Sequence, residues 1–228
     1  MHINLEFAEE EYYHVYNRGV EKRSIVVDEK DSARFIQSLI QFNSLKPIGS
    51  IFENTYEYKK IGSETSKELT KKNEALVEII AYCLNPNHFH MILSPVVEDG
   101  ISKFMHRLGT GYTKYFNKRH KRSGSLFQGL FKAKHLEDND YLLHVSAYVN
   151  LNDRVHKIGS ETSKVSKLVR KSYGEYEAGS GGFCQKDVIL DQFKNRKEYT
   201  DFCEDSLELM HETKDEQNEL KDLNLLEY

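Results

Sequence analysis

Two histidines two residues apart are the side chains of this sequence best suited to metal chemistry. His88 and His90 follow a turn-forming Asn-Pro-Asn triplet at 85–87, within a β-like stretch. Side chains at i and i+2 of a strand point to the same face, so both imidazoles project together while Phe89 points the other way. Two imidazoles on one face, completed by a third ligand from elsewhere, suit a catalytic divalent metal. The alternative is a structural or solvated pair.

A second set of candidates lies on a predicted helix over residues 139–152. Tyr148 and Asn152 are four residues apart, the spacing at which two helical side chains reach the same object. His144 extends this stripe by one turn and is a rival metal ligand. A tyrosine on a helix is more often a core residue than a nucleophile. The case for Tyr148 therefore depends on its combination with the histidine pair and with the charge pattern.

Charge is strongly segregated along the 228-residue chain, although its formal net value is only −4. Residues 100–136 contain nine lysines and arginines and no acid, whereas residues 201–228 contain ten acids and two lysines. A dense patch of one sign steers polyanions whatever the total charge. Tyr112 and Tyr115 in the basic segment are rival nucleophiles, but neither has a metal-ligand residue type four positions later. The pattern predicts a nucleic-acid partner.

The composition is typical of a soluble globular protein, with 39% hydrophobic and 30% charged residues. No apolar run approaches the ~20 residues of a membrane span, and the N-terminus does not resemble a secretory signal. The three cysteines are far apart and without a CxxC pair, which is typical of reduced thiols. These features predict a cytoplasmic protein with no membrane partner.

The order of predicted elements indicates an α+β fold of the ferredoxin-like, or RRM-like, sandwich type. We expect four strands in one antiparallel sheet with helices on one face. The predicted strands are 12–18, 76–84, 88–94 and 126–136, and the predicted helices are 31–43, 101–117 and 139–152, the first capped by Asp31 or Ser32. We predict a domain over residues 1–164 with an inserted loop near 44–75, followed by a C-terminal helical extension with an acidic tail over 165–228.

Five blocks in this order resemble the single-tyrosine HUH transposases of the insertion-sequence 200/605 type, and most of all their REP-associated relatives. The blocks are YYHVYNRG at 12–19, LNPNHFHMILSP at 84–95, MHRLGTGYTKYFNKRHKRSGSLFQGLFKAK at 105–134, DYLLHVSAYVNLN at 140–152, and KSYGEYEAG with ILDQF near 171–193. The chain departs from the family pattern at Asp153, where proline is usual, and at Leu130, where arginine is common.

The resemblance implies a role for each candidate. His88 and His90 would bind Mg²⁺ or Mn²⁺, Asn152 would be the third ligand through its amide oxygen, and Tyr148 would be the nucleophile. The implied activity is nicking and rejoining of single-stranded or hairpin DNA through a 5′-phosphotyrosine intermediate, in DNA transposition. The implied targets are REP-like hairpins or insertion-sequence ends, bound by a monomer or a homodimer.

Several further side chains are expected to contact this DNA: Arg18, Lys114, Lys118, Arg119, Arg122, Gln128 and Lys132. Arg18 could equally be a salt-bridge partner. Two other functions fit the same fold. One is a non-catalytic nucleic-acid-binding regulator derived from a transposase, and the other is a different HUH endonuclease, such as a replication initiator or a relaxase.

Overall fold

The computed structural model describes residues 6–46, 48–49, 51, 75–158 and 163–225, with side chains as far as residue 213. The strands are β1 (Tyr13–Arg18), β2 (Val77–Leu84), β3 (His88–Pro95), β4 (Lys132–His135) and β5 (Arg170–Lys171). The long helices are α1 (Glu29–Phe42), α2 (Gly100–Arg119), α3 (Asn139–Asn150) and α7 (Arg196–Leu225). The short helices are α4 (Asn152–Val155), α5 (Tyr173–Ala178) and α6 (Asp187–Leu190).

The five described strands form one antiparallel sheet in the order β4-β1-β3-β2-β5. The central strand is β3, whose His90 lies opposite Tyr16 of β1 on one side and opposite Cys83 of β2 on the other. The predicted α+β class and antiparallel sheet are confirmed, with five strands in place of four. The additional strand, β5, belongs to the C-terminal extension.

The first face of the sheet is covered by α1 and α2. Phe89 and Met91 of β3 lie in a buried cluster with Phe35 of α1 and Tyr112 of α2. The helix α1 begins two residues earlier than predicted, because Asp28 is its N-cap and accepts hydrogen bonds from the Lys30 and Asp31 backbone amides at 3.0 and 3.1 Å. This face is the part of the fold that matches the ferredoxin-like prediction.

The second face is covered too, so the prediction of helices on one face only is wrong. Ile80 and Ala81 of β2 and Ile92 of β3 belong to a separate buried cluster, formed with residues of α3, α5 and α7. The physical reason is in β2, where apolar residues follow one another instead of alternating with polar ones. A strand that is apolar on both sides needs a cover on both sides.

Two predicted elements are shorter in the structure. The predicted strand 126–136 is a strand only over Lys132–His135, with an isolated bridge from Phe127 to Gly19, because the chain turns at Gly129, whose φ of +69° is left-handed. The predicted helix 139–152 ends at Asn150 and resumes as α4 at Asn152, since Leu151 has non-helical angles. The break leaves Asn152 at the start of a new helical turn, fully buried.

The remaining sequence-based predictions of organisation are tested only in part. Most of the inserted loop near 44–75 lies outside the described residues. The boundary between 164 and 165 stays a prediction, although residues 173–207 of the extension share the second core with α3. No described helix is long and apolar enough to cross a membrane.

Two glycines of α2 allow a matched test of its packing against α1. An added Cβ at Gly111 would lie 2.4 Å from Phe42 Cζ, whereas one at Gly109 would meet nothing within 4 Å. We expect Gly109→Ala to stabilise the protein by up to about 1 kcal/mol through helix propensity. Overpacking should make Gly111→Ala less stable than Gly109→Ala by about 1–3 kcal/mol. Urea unfolding monitored by circular dichroism measures both; equal stabilities would contradict the packing of α1 on α2.

Candidate active site

A tight turn and the first residues of β3 position the histidine pair. The Asn85 backbone amide donates to the His88 carbonyl at 2.8 Å, and the Pro86 carbonyl accepts from the amides of Ile25 and Val26. From this turn His88 and His90 project onto the second face of the sheet. Their ring centroids are 5.4 Å apart, and the planes of the two rings are nearly perpendicular. The two imidazoles therefore converge, as their spacing predicts.

The end of α3 and the start of α4 bring the other two candidates against this pair. The Tyr148 ring lies edge-on to His90 with centroids 5.4 Å apart. Asn152 Oδ1 lies 2.9 Å from His88 Nε2. The structure thus gathers His88 and His90 of β3, Tyr148 of α3 and Asn152 of α4 at one place, although about 60 residues separate the strand from the two helices.

Hydrogen bonds orient His88 with one ring nitrogen directed into the site. Asn87 Oδ1 accepts from His88 Nδ1 at 2.6 Å, which leaves Nε2 as the electron-pair donor. Asn85 Nδ2 donates to this Nε2 at 3.0 Å and to Asn152 Oδ1 at 2.7 Å. Two electron-pair donors, His88 Nε2 and Asn152 Oδ1, therefore face each other at close range. Such a contact is favourable when both bind one cation.

His90 is held in the same way by a third histidine. His14 Nε2 lies 2.8 Å from His90 Nδ1, and with the hydrogen on Nδ1 the Nε2 of His90 faces the site. Burial lowers the pKa of His14 to about 4, helped by the charge of Lys134, and burial also lowers the pKa of His90 well below its usual value. Both rings are therefore neutral near pH 7, the form in which an imidazole binds a metal.

These donors fit a divalent metal. The set is His88 Nε2, His90 Nε2 and Asn152 Oδ1, two imidazoles and an amide oxygen. Within the described parts of the chain, Asn152 Nδ2 is buried without a hydrogen-bond partner, so it is the oxygen side of this amide that the surroundings satisfy. With bonds of about 2.1 Å, neighbouring ligands of an octahedral ion lie about 3 Å apart, close to the 2.9 Å between His88 Nε2 and Asn152 Oδ1. The described residues hold no cluster of three or more His, Cys, Asp or Glu arranged as ligands.

Comparison with known proteins shows the family to which the chain belongs. A family profile described as transposase, IS200-like, matches residues 11–152, which is more than half of the chain. The chain belongs to the IS200-like transposase family. One similar solved structure is a REP-associated tyrosine transposase bound to a REP hairpin, with 14% identity, a TM-score of 0.48, and coverage of 80% of this chain and 89% of that chain. No curated protein matches the chain significantly.

His88, His90 and Tyr148 of this IS200-like transposase line a cleft of about 570 Å³, and Asn152 lies buried behind His88. Three of the residues expected to contact DNA line the cleft: Arg18, Gln128 and Lys132. Arg18 Nε donates a hydrogen bond to Gln128 Oε1, so these two form one wall. Lys22 and His156 line the cleft as well.

The other four expected DNA contacts lie elsewhere. The Arg119 guanidinium pairs with Asp28 at 2.6 Å and with the fully buried Asp31 at 2.5 Å, which ties α2 to α1. Arg122 donates to Asn117 and to the Ser125 carbonyl and holds the turn after α2. Lys114 and Lys118 line a separate cavity of about 900 Å³ beside α1 and α2. The sequence places all four in a basic segment, but the structure does not bring them into the cleft.

The rival candidates point away from the cleft. Tyr112 is fully buried and its hydroxyl donates to the Ile25 carbonyl at 2.7 Å. The Tyr115 hydroxyl donates to Asp31 at 3.2 Å, on the first face of the sheet. His144 packs on Phe202 of α7, with ring centroids 5.3 Å apart. Among these tyrosines and Tyr148, only Tyr148 lines the cleft.

Two histidines of the site are not identified by sequence reasoning, His14 and His156. His14 reaches the site through the pairing of β1 with β3, and the ring of His156 lies 5.1 Å from that of His88. A signal for His14 exists in the sequence, because His14, Tyr16 and Arg18 alternate along β1 and so share one face. His156 follows the helix break at Leu151, for which the sequence carries no clear signal.

His14 provides a test of the metal site that does not depend on DNA. His14→Gln removes the imidazole partner of His90. We expect Mn²⁺ to bind about 10–100-fold more weakly, the usual effect of removing a group that hydrogen-bonds a metal ligand. Isothermal titration calorimetry measures the change. His135→Gln is the matched control. His135 lies on β4, where its ring hydrogen-bonds Glu11 at 2.8 Å, and it does not contact His90. Equal Mn²⁺ affinities for the two variants would contradict the assigned donor set.

Proposed function

We propose that this IS200-like transposase is a metal-dependent DNA strand transferase that uses Tyr148 as its nucleophile. The observation that carries the proposal is the convergence of Tyr148, His88 and His90 in one cleft, with the buried Asn152 Oδ1 against His88. A non-catalytic DNA-binding protein has no need for a tyrosine beside three metal-ligand donors. The proposed substrate is single-stranded or hairpin DNA, such as REP-like hairpins or insertion-sequence ends.

The reaction forms one phosphoester bond and breaks another. The Tyr148 oxygen attacks the scissile phosphorus, the bond from phosphorus to the 3′ oxygen breaks, and the 3′ oxygen leaves as a hydroxyl after gaining a proton. The DNA 5′ end stays on Tyr148 as a phosphotyrosine. Because the new bond retains the energy of the old one, attack by a second 3′ hydroxyl rejoins strands without a nucleotide triphosphate.

The surrounding residues determine the protonation state of Tyr148 and would hold the metal ion. Burial raises the pKa of the Tyr148 phenol, and the Asn152 side chain partly offsets this. Tyr148 is therefore protonated near pH 7 and must lose its proton as it attacks. When bound by His88, His90 and Asn152, Mg²⁺ or Mn²⁺ supplies positive charge at a phosphate oxygen. Asn85 and Asn87 hold two of these ligands in place.

The cleft has the electrostatic character that a DNA backbone requires. Arg18, Lys22 and Lys132 line it, and no carboxylate does among the described residues. The net charge of −4 does not determine the potential in the cleft, since charges more than about 10 Å away are screened at ordinary ionic strength.

Covalent capture tests the nucleophile directly. We expect the wild-type protein with Mn²⁺ to form a covalent adduct with an oligonucleotide nicked in single-stranded form, and Tyr148→Phe to form none while binding the same DNA. Denaturing gel electrophoresis of labelled DNA measures the adduct, and EDTA should abolish it. Tyr141→Phe is the matched control, since Tyr141 lies two turns earlier on α3 beneath the Lys134 ammonium. An adduct with Tyr148→Phe would contradict the assignment; no adduct with the wild type on any structured strand would favour a DNA-binding regulator.

A second prediction separates the cleft from the rest of the basic segment. Lys132→Gln should weaken DNA binding and reduce the slope of log affinity against log salt by about 0.7, the value for one lost phosphate contact with a single strand. Lys103→Gln should leave the slope unchanged, because Lys103 bonds the Glu98 carbonyl and lies outside the cleft. Fluorescence anisotropy over a salt series measures both. Equal slopes for the two variants would place the DNA backbone elsewhere.

A further inference from the structure

We propose that the C-terminal extension holds α3 in register with the histidine strand through a buried chain of hydrogen bonds. Asn150, Ser172, Tyr199 and Ser146 form this chain, together with the backbone of Tyr82, and we call it the α3 brace. Ser172 and Tyr199 are positioning residues for Tyr148 and Asn152. The geometric part of this inference is independent of the proposed function, on which only its catalytic readout rests.

Ser172 fixes one end of the brace to the sheet. Its hydroxyl accepts from the Tyr82 amide at 2.9 Å, and its own backbone amide donates to the Tyr82 carbonyl at 2.9 Å. Tyr82 precedes Cys83, which lies directly opposite His90 in the β2–β3 pairing. The anchor point on the sheet is therefore one residue away from the partner of a proposed metal ligand.

Asn150 connects this anchor to α3. The Ser172 hydroxyl donates to Asn150 Oδ1 at 2.6 Å, so a single serine side chain links the sheet to the helix. Asn150 stands two residues after Tyr148 and two before Asn152. Tyr148 and Asn150 both belong to α3, so a shift or rotation of this helix at Asn150 moves Tyr148 by a similar amount. Asn152 follows the single non-helical residue Leu151, whose amide donates to the Ala147 carbonyl of α3 at 2.9 Å, so it is attached directly to the same helix end. The position of Asn150 therefore affects both the proposed nucleophile and the proposed amide ligand.

Tyr199 of α7 closes the brace from the other side. Asn150 Nδ2 donates to the Tyr199 hydroxyl at 2.8 Å, and Ser146 Oγ lies 3.3 Å from the same hydroxyl. Asn150, Ser172, Tyr199 and Ser146 are all 0% exposed. A buried polar group costs free energy when it lacks a partner, so a different register of α3, which would separate these partners, is disfavoured.

Ion pairs between α4 and the extension strengthen this arrangement at the surface. Arg154 makes a two-bonded pair with Glu204 of α7 at 2.5 and 2.6 Å. Asp153, which stands where proline is usual in the family, pairs at 2.7 Å with Lys171, the neighbour of Ser172. The family profile ends at residue 152. Ser172, Tyr199 and Glu204 therefore come from a part of the chain outside the matched segment.

The chain offers a matched control for removing a brace hydroxyl. Tyr176 is fully buried, its ring stacks on that of Tyr199 with centroids 5.1 Å apart, and its hydroxyl donates to the Ile80 carbonyl at 2.9 Å. Tyr176→Phe thus removes a buried hydroxyl from the same cluster without touching the α3 brace. The test variants are Ser172→Ala and Tyr199→Phe, compared with Tyr176→Phe at a temperature at which circular dichroism shows all of them folded.

Two measurements on the full-length protein decide the proposal. We expect hydrogen exchange of the α3 amides to rise at least tenfold in Ser172→Ala and Tyr199→Phe, with α1 unchanged, and to stay near wild type in Tyr176→Phe. The single-turnover rate of DNA cleavage should fall about tenfold or more in the two test variants, since small displacements of reacting groups are costly. Their dissociation constants for DNA should stay within about twofold.

The outcomes are distinguishable. Unchanged α3 exchange in both test variants overturns the brace, as does an equal loss of cleavage rate in Tyr176→Phe. Faster exchange with a wild-type cleavage rate overturns the positioning role. If α3 exchange rises as expected but the wild-type protein itself cleaves no DNA, the brace is supported and it is the proposed function that fails.

Discussion

The structure depends on a central strand that is buried on both faces. Alternate side chains of β3 point to opposite sides, so Phe89 and Met91 need one layer of cover while His88 and His90 lie under a second. A single layer of helices cannot satisfy such a strand. The second layer, begun by α3, is what brings a tyrosine and an asparagine onto the two histidines.

Placing imidazoles in a buried layer is tolerated because each finds a partner. Asn87 is hydrogen-bonded to His88 and His14 to His90, so the Nδ1 atom of each ring has a hydrogen-bond partner. Burial lowers the pKa values of His14 and His90 and thereby keeps both rings neutral. The same burial that stabilises the second core thus prepares the histidines to donate electron pairs. Packing and chemistry have one physical cause here.

Much of the site follows from local spacing. The i, i+2 histidines and the i, i+4 pair of Tyr148 and Asn152 are visible in the sequence, because strand and helix periods determine which side chains share a face. The contribution of His14 is not, since it requires the register between β1 and β3, which are separated by about 70 residues. The sequence of the basic segment also does not show which of its charged side chains face the cleft. Lys132 faces the cleft, whereas Arg119 is committed to two aspartates of α1.

The second helical layer is the main feature that the sequence does not predict. The continuous apolar run of β2 indicates burial on both faces, but the residues that complete the cover, Tyr176 and Tyr199 among them, come from an extension whose own pattern indicates only short helices. Its acidic end suggests a solvated tail. The structure instead shows that the start of α7 packs on α3 and supplies a buried hydrogen-bond partner to Asn150.

The most direct measurement is mass spectrometry of the peptide that remains linked to DNA after cleavage. The wild-type protein is incubated with Mn²⁺ and a structured single strand, digested with a protease and a nuclease, and the modified peptide is sequenced by fragmentation. The account predicts a nucleotide on the peptide containing residues 141–153, with the added mass on Tyr148. A nucleotide on Tyr112, Tyr115 or any other residue would contradict it.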